Sequence, residues 1–132
     1  MEYKTLGNTG LLVSTLCLGT MTFGGKGFWE TVGAVDQAGV DKLIKASMDA
    51  GINFFDTADI YSEGESERIL GKAFKNLNIA RKDVVIATKV YGRVGPGYND
   101  IGASRGHIMD AVDASLRRLN TDYIDLYQIH GN

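Results

Sequence analysis

The sequence predicts an α/β fold, a parallel (β/α) barrel present as about half a barrel of four β/α strands, preceded by a short β-hairpin. Three observations carry that prediction. Apolar stretches rich in β-branched residues alternate with helical stretches, the pattern of parallel strands joined by crossover helices. The strands show little polar alternation before their last residues, as expected when helices cover one face and a barrel interior the other. Three strands then end on Asp56, Lys89 and His130, at the end where all the strand-to-helix loops of such a barrel open.

Tyr3 to Leu6, the turn Gly7-Asn8-Thr9-Gly10, and Leu11 to Val13 read as a β-hairpin too short to be a barrel strand. Leu16 to Thr20 is the first core strand, followed by a loop through Phe23-Gly24-Gly25 and an excursion with Phe28 and Trp29. Asp36 to Ala50 is the first helix, with Val40, Leu43, Ile44 and Ser47 on one face, and Gly51 stops it. Ile52 to Asp56 is the second strand. Glu65 to Leu77 is the second helix, with the stripe Ile69, Leu70, Ala73, Phe74 and Leu77. Asp83 to Lys89 is the third strand. Ser104 caps the third helix, whose stripe is Ile108, Val112, Ser115, Leu116 and Leu119. Tyr123 to His130 is the fourth strand.

Parity refines the picture, because side chains alternate faces along a strand. Ile52, Phe54 and Asp56 share one face, as do Val85, Ala87 and Lys89, and as do Ile124, Leu126, Gln128 and His130. Each series ends on a polar side chain aimed toward the barrel axis. Three converging on one mouth predict a site.

The 132 residues suffice for one domain with a real core, and residues 1–132 read as a single domain. Hydrophobic residues at 44% and charged residues at 23% are ordinary for a soluble globular protein. The net charge of -2, without a basic stripe, argues against nucleic acid and anionic membrane as partners. No apolar run approaches the roughly 20 residues of a membrane helix, and the N-terminus lacks the pattern of a signal peptide. Cys17 is the only cysteine, which leaves no intrachain disulfide or cysteine-based zinc site. Between Leu16 and Leu18 it is expected to be a buried, inert thiol, and the expected compartment is the reducing cytoplasm.

No His, Cys, Asp or Glu cluster has metal-ligand spacing, so no metal is expected. Gly19 to Lys26 has the wrong spacing for a phosphate loop, and Gly92, Gly95 and Gly97 do not make a dinucleotide fingerprint. A tyrosine beside a lysine, a carboxylate and an imidazole has a definite use. An unperturbed phenol titrates near pH ~10, and a neighbouring ammonium favours its ionised form. Asp56 can hold Lys89 charged and oriented, and a neutral His130 can donate to a carbonyl oxygen. Tyr61 then becomes a general acid for an oxygen gaining negative charge. Reduction of an aldehyde or ketone needs this, with hydride from a cofactor.

Asp59 is expected to cap backbone amides in the loop, and Asp125 to face the helix layer with an arginine partner. Trp29, Phe23, Tyr91 and Tyr98 either wall a substrate pocket or anchor their loops. His107 is expected at the solvated surface, and Arg117 and Arg118 as solvated or paired helix charges.

Phe55-Asp56-Thr57-Ala58-Asp59-Ile60-Tyr61 through Glu67, Ala87-Thr88-Lys89-Val90, Ser115 to Leu119 and Asp125 to His130 resemble the aldo-keto reductase family. The opening Leu16-Cys17-Leu18-Gly19-Thr20-Met21-Thr22-Phe23-Gly24 is similar as well. The resemblance covers nearly the whole chain, with its motifs in family order. It implies a TIM-type (β/α)8 barrel and NADPH-dependent reduction of small aldehydes or ketones. The implied catalytic tetrad is Asp56, Tyr61, Lys89 and His130, with Tyr61 as proton donor. Gly19, Thr20, Met21 and Asp56 are the implied cofactor contacts. Family barrels run to about 250 residues, so the chain reads as an N-terminal half. That half is expected to self-associate and to lack activity alone. The alternative is a catalytically silent half-barrel acting as a binding or assembly module, since the resemblance extends to channel-associated regulatory subunits.

Overall fold

An antiparallel hairpin of β1 (Tyr3–Thr5) and β2 (Leu12–Ser14) precedes a four-stranded parallel sheet. The sheet runs in chain order: β3 (Cys17–Gly19), β4 (Phe54–Asp56), β5 (Val85–Val90) and β6 (Leu126–Ile129). Helices α1 (Gln37–Asp49), α2 (Glu65–Asn76) and α3 (Arg105–Leu119) make the crossovers. The computed structural model describes residues 1–131. Sequential parallel strands joined by helices make this part of a (β/α) barrel, as the sequence predicts.

The helix boundaries follow from local chemistry. The Asp36 carboxylate accepts the Gly39 N–H at 2.9 Å and starts α1; the Ser104 hydroxyl accepts the His107 N–H at 3.2 Å and starts α3. Helix α1 ends in a left-handed residue, Gly51 at φ 87°. There the Ile52 N–H reaches the Ser47 carbonyl and the Gly51 N–H the Met48 carbonyl, both at 2.9 Å. Helix α2 ends the same way on Asn78, at φ 52°. Gly71 inside α2 has a different reason: a side chain there would strike the backbone of Leu119, so its absence lets α2 and α3 close together.

The core lies between the sheet and these helices. Phe55, Ile86, Val40, Ile44 and Leu70 are at most 1% exposed. Fully burying side chains of this size contributes about 1.5–3 kcal/mol each. Parity holds where the strands are regular: Asp56 pairs with Ala87, Ala87 with Leu126, and Lys89 with Gln128. Phe55 and Ile86, between them in register, turn to the helix layer.

Several details differ from expectation. The buried face of α1 is Val40 and Ile44 with Met48 packed beside them, while Leu43 is 42% exposed. The face that α3 buries is His107, Ala111, Ser115 and Leu119, a clean i,i+4 row. His107 is therefore buried, not solvated, and Ile108, Val112 and Leu116 are only partly covered.

Strand β6 starts late because the Asp125 carboxylate, not a backbone carbonyl, accepts the Ile86 N–H at 2.8 Å. Arg81 holds the preceding segment irregular through Thr121 Oγ1, the Tyr123 carbonyl and Asp125. Ile124 consequently packs against the helix-side core rather than facing the axis. Asp125 has the expected arginine partner, with Arg81 Nη2 at 2.5 Å.

Candidate active site

Four strand ends and the loops behind them build one mouth. The Thr20 N–H donates to the Asp56 carbonyl, the Thr57 N–H to the Ala87 carbonyl, and the His130 N–H to the Val90 carbonyl. Parallel pairing thus continues one residue past each strand and fixes the height of each side chain at the rim.

Lys89 stands one register step above Asp56 and bends back to it. Its Nζ lies 2.6 Å from Asp56 Oδ2 and 2.9 Å from the Thr57 carbonyl. The same ammonium sits 5.3 Å from the centroid of the Tyr61 ring. His130 stands edge-on to that ring at 5.6 Å, and Trp29 does so at 5.4 Å. Tyr61 itself is 9% exposed. Asp56, Tyr61, Lys89 and His130 therefore meet in one cluster.

The electrostatics of this cluster favour a neutral imidazole. Partial desolvation and then the Lys89 charge hold His130 below its ordinary pKa, against the opposing pull of Asp56. A neutral imidazole can donate one ring N–H to an oxygen. Cys17 lies nearby, exposed rather than buried as the sequence suggested. Desolvation and then the Asp56 charge push its thiol up to about 11.

Of the segment Gly19-Thr20-Met21, Gly19 and Met21 are exposed and Thr20 is fully buried. The Thr20 hydroxyl bonds to Ser66 inside the fold. A side chain at Gly19 would meet nothing within 4 Å, so the strand end offers open space at the mouth. A cleft of about 550 Å³ lies on the outer side of the Tyr61 loop, lined by Lys26, Trp29, Asp59, Ile60, Glu63, Arg93, Val94 and Arg118 and by no member of the cluster. The cleft of about 570 Å³ at Arg81 and Asn120 lies at the N-terminal strand ends, away from this chemistry. The loop aromatics divide by role: Phe23 is 1% exposed in the core, Trp29 walls Tyr61, and Tyr98 is 98% exposed.

Behind the mouth is a buried polar group that sequence reasoning passed over. Glu67 is fully buried, accepting from Thr88 Oγ1 at 2.6 Å and from Arg118 Nε at 2.5 Å. The signal was its place on the apolar stripe of α2, three residues before Leu70 and seven before Phe74. A charge there must be paired. Arg118 is thus a paired helix charge, as expected. Asp59 is 2% exposed, and its carboxylate lies against the Asp59 and Ile60 amides, as the expected capping role requires, but without a well-formed hydrogen bond among the described residues. Burial, then Glu67, push its pKa up to about 7 against Arg118.

Parallel strands whose C-terminal ends gather a carboxylate, an ammonium, a phenol and an imidazole define a barrel with its chemical site at the loop mouth. The chain belongs to the aldo/keto reductase family, whose model matches residues 15–132. It is 42% identical to a probable voltage-gated potassium channel subunit beta of Arabidopsis thaliana, covering 98% of this chain and 37% of that protein. It is 44% identical to versiconal hemiacetal acetate reductase of Aspergillus parasiticus, covering 98% and 42%. The holo form of aldo-keto reductase AKR11C1 from Bacillus halodurans superposes with TM-score 0.83 at 38% identity, covering 100% of this chain and 41% of that one. The chain spans about two fifths of the length of these relatives. Among the described residues no helix is long and apolar enough to cross a membrane.

Proposed function

We propose that the whole protein is an NADPH-dependent oxidoreductase that reduces small aldehydes or ketones to alcohols, with Tyr61 as proton donor. The observation that carries this reading is the Lys89–Asp56 pair at 2.6 Å beside the Tyr61 ring, with His130 on the ring's edge. Asp56 and the Thr57 carbonyl hold the Lys89 ammonium beside the phenol ring, 5.3 Å from its centroid. His130, neutral, donates to the carbonyl oxygen and orients it. Tyr61 passes its proton to that oxygen as negative charge builds there, and the phenol is reprotonated from solvent. Trp29 packs edge-on against the Tyr61 ring at 5.4 Å and forms one wall beside it.

The residues present suit a nicotinamide ring. Gly19 leaves open space at the rim, Met21 offers an exposed apolar side chain, and Asp56 with Lys89 closes the floor. Gly19, Met21 and Asp56 would hold the ring, and Thr20 would brace them from behind. When bound, the reduced cofactor supplies the hydride that no side chain provides. A reducing cytoplasm suits a chain with one cysteine.

The experiment is oxidation of NADPH by the whole protein with a panel of aldehydes and ketones. Carbonyl-dependent oxidation upholds the reading, and its absence across the panel overturns it. The likeness to a potassium channel subunit supports a second reading, a partner-binding module, which that absence together with capture of a membrane channel subunit would favour.

A further inference from the structure

The loop that carries Tyr61 leaves the sheet at Thr57 and enters α2 at Ser66, and its two ends touch. Thr57 Oγ1 lies 3.3 Å from Ser66 Oγ. Ser66 Oγ also donates to the Thr20 carbonyl at 2.8 Å and lies 2.9 Å from Thr20 Oγ1. A serine hydroxyl has one proton and two lone pairs. Its proton goes to the Thr20 carbonyl, so both threonine hydroxyls donate to Ser66. The node is saturated, and all three residues are 0% exposed.

The tip of the loop is pinned to the same segment. Ser62 Oγ donates to the Phe23 carbonyl at 2.8 Å and accepts the Gly25 N–H at 3.0 Å. Immediately after Tyr61, the backbone at Ser62, Glu63 and Gly64 is left-handed, at φ 50°, 55° and 86°. Non-glycine residues hold that conformation only where their surroundings enforce it. The enforcing contacts at base and tip both come from Thr20–Gly25, the segment that begins beside Gly19.

We propose that Ser66 is a positioning residue for Tyr61: it locks the base of the Tyr61 loop to the end of β3, so the phenol is set before substrate arrives. The proposal rests on the acid role of Tyr61 given above. Thr20 lies between Gly19 and Met21, so the rim that faces the cofactor space and the loop that carries the proton donor move as one body. A reacting group misplaced by about 1 Å loses on the order of a hundredfold in rate, so this coupling has kinetic weight.

The test is Ser66→Ala in the whole protein. Turnover should fall at least about tenfold while the KM for the carbonyl changes less than about twofold, because geometry is lost and not binding. The pH profile should stay in place, since the Asp56–Lys89 pair is untouched. Amide exchange across residues 58–64 should quicken about tenfold, with Val85–Val90 unchanged. Ser115→Ala removes another fully buried serine hydroxyl, bonded to Arg118 Nη2 at 3.2 Å on α3. It should lower Tm and leave turnover alone. Should Ser66→Ala fail to fold, Thr57→Val removes one bond of the node at nearly constant shape and should act in the same direction.

Wild-type turnover in the folded variant overturns the proposal. So does a fall in turnover without faster exchange in 58–64, or an equal fall in Ser115→Ala. Tyr61→Phe run alongside separates the two ideas. Full activity there defeats the acid role, while exchange still reports whether Ser66 holds the loop.

Discussion

Lys89 is joined to Asp56 by a 2.6 Å ion pair, and its ammonium is held in place by the Thr57 carbonyl as well. In the proposed mechanism the lysine, 5.3 Å from the Tyr61 ring centroid, acts on the phenol and the aspartate acts through the lysine. Lys89→Met is therefore expected to lower turnover about as much as loss of the phenol, on the order of 10²-fold or more. Asp56→Asn should cost less, because the Thr57 carbonyl still orients the ammonium. Steady-state kinetics of the whole protein across pH checks both, and near-normal turnover with an unmoved pH profile in Lys89→Met would remove the lysine from the mechanism.

Asp59 gives the fold a pH dependence of unusual sign. Its folded pKa is raised to about 7, whereas the free carboxyl titrates near 3.8. Between those values the folded state holds a proton that the unfolded state has released. The resulting stabilisation is complete below about 3.8 and is lost as pH rises through about 7. Glu67, Arg118 and Tyr127 are the groups that face this carboxyl. Asp59→Asn should flatten this part of the curve and stabilise the protein at pH ~8 by on the order of 2 kcal/mol. Urea melts of both proteins at pH ~6 and ~8 test it, and parallel curves would contradict it.

Much of this was legible in the sequence because strand parity and helix caps are local. Asp56, Lys89 and His130 could be placed at strand ends, and Asp36 and Ser104 at helix starts, from spacing alone. Asp125 could be assigned an arginine partner from parity. What was not legible depended on packing between elements. His107 looks like a surface residue until α3 is seen to bury its 107-111-115-119 row. Thr20 looks like part of the rim until its hydroxyl is traced to Ser66, forty-six residues away. Glu67 was hidden because its partners, Thr88 and Arg118, come from two other elements.

Cys17 is exposed yet should react slowly. With its thiol pushed up to about 11, the reactive thiolate is scarce at neutral pH. Alkylation by iodoacetamide should run on the order of a hundredfold slower than for a free cysteine. A rate like that of the free amino acid would show that Asp56 and desolvation do not act on it as described.

The 132-residue chain on its own should associate. Its sheet ends in β3 and β6, each with one free edge, and Phe54 and Leu126 on the axis side are only half-buried. Open edges and uncovered apolar faces drive pairing, most simply through a two-fold axis. The isolated chain should also lack appreciable reductase activity. Light scattering that shows a stable monomer would defeat the first expectation, and turnover with NADPH by the isolated chain would defeat the second.

The central claim is that Tyr61 donates the proton in carbonyl reduction, set by Lys89, Asp56 and His130 at one mouth. Its most direct test is the whole protein carrying Tyr61→Phe, measured for carbonyl turnover and, by nucleotide fluorescence, for NADPH binding. The account predicts turnover reduced by ~10²–10⁴-fold, the range for loss of a general acid, with NADPH affinity within about threefold of wild type because the phenol contributes little to holding the cofactor. Turnover above about a tenth of wild type with the cofactor bound would contradict it.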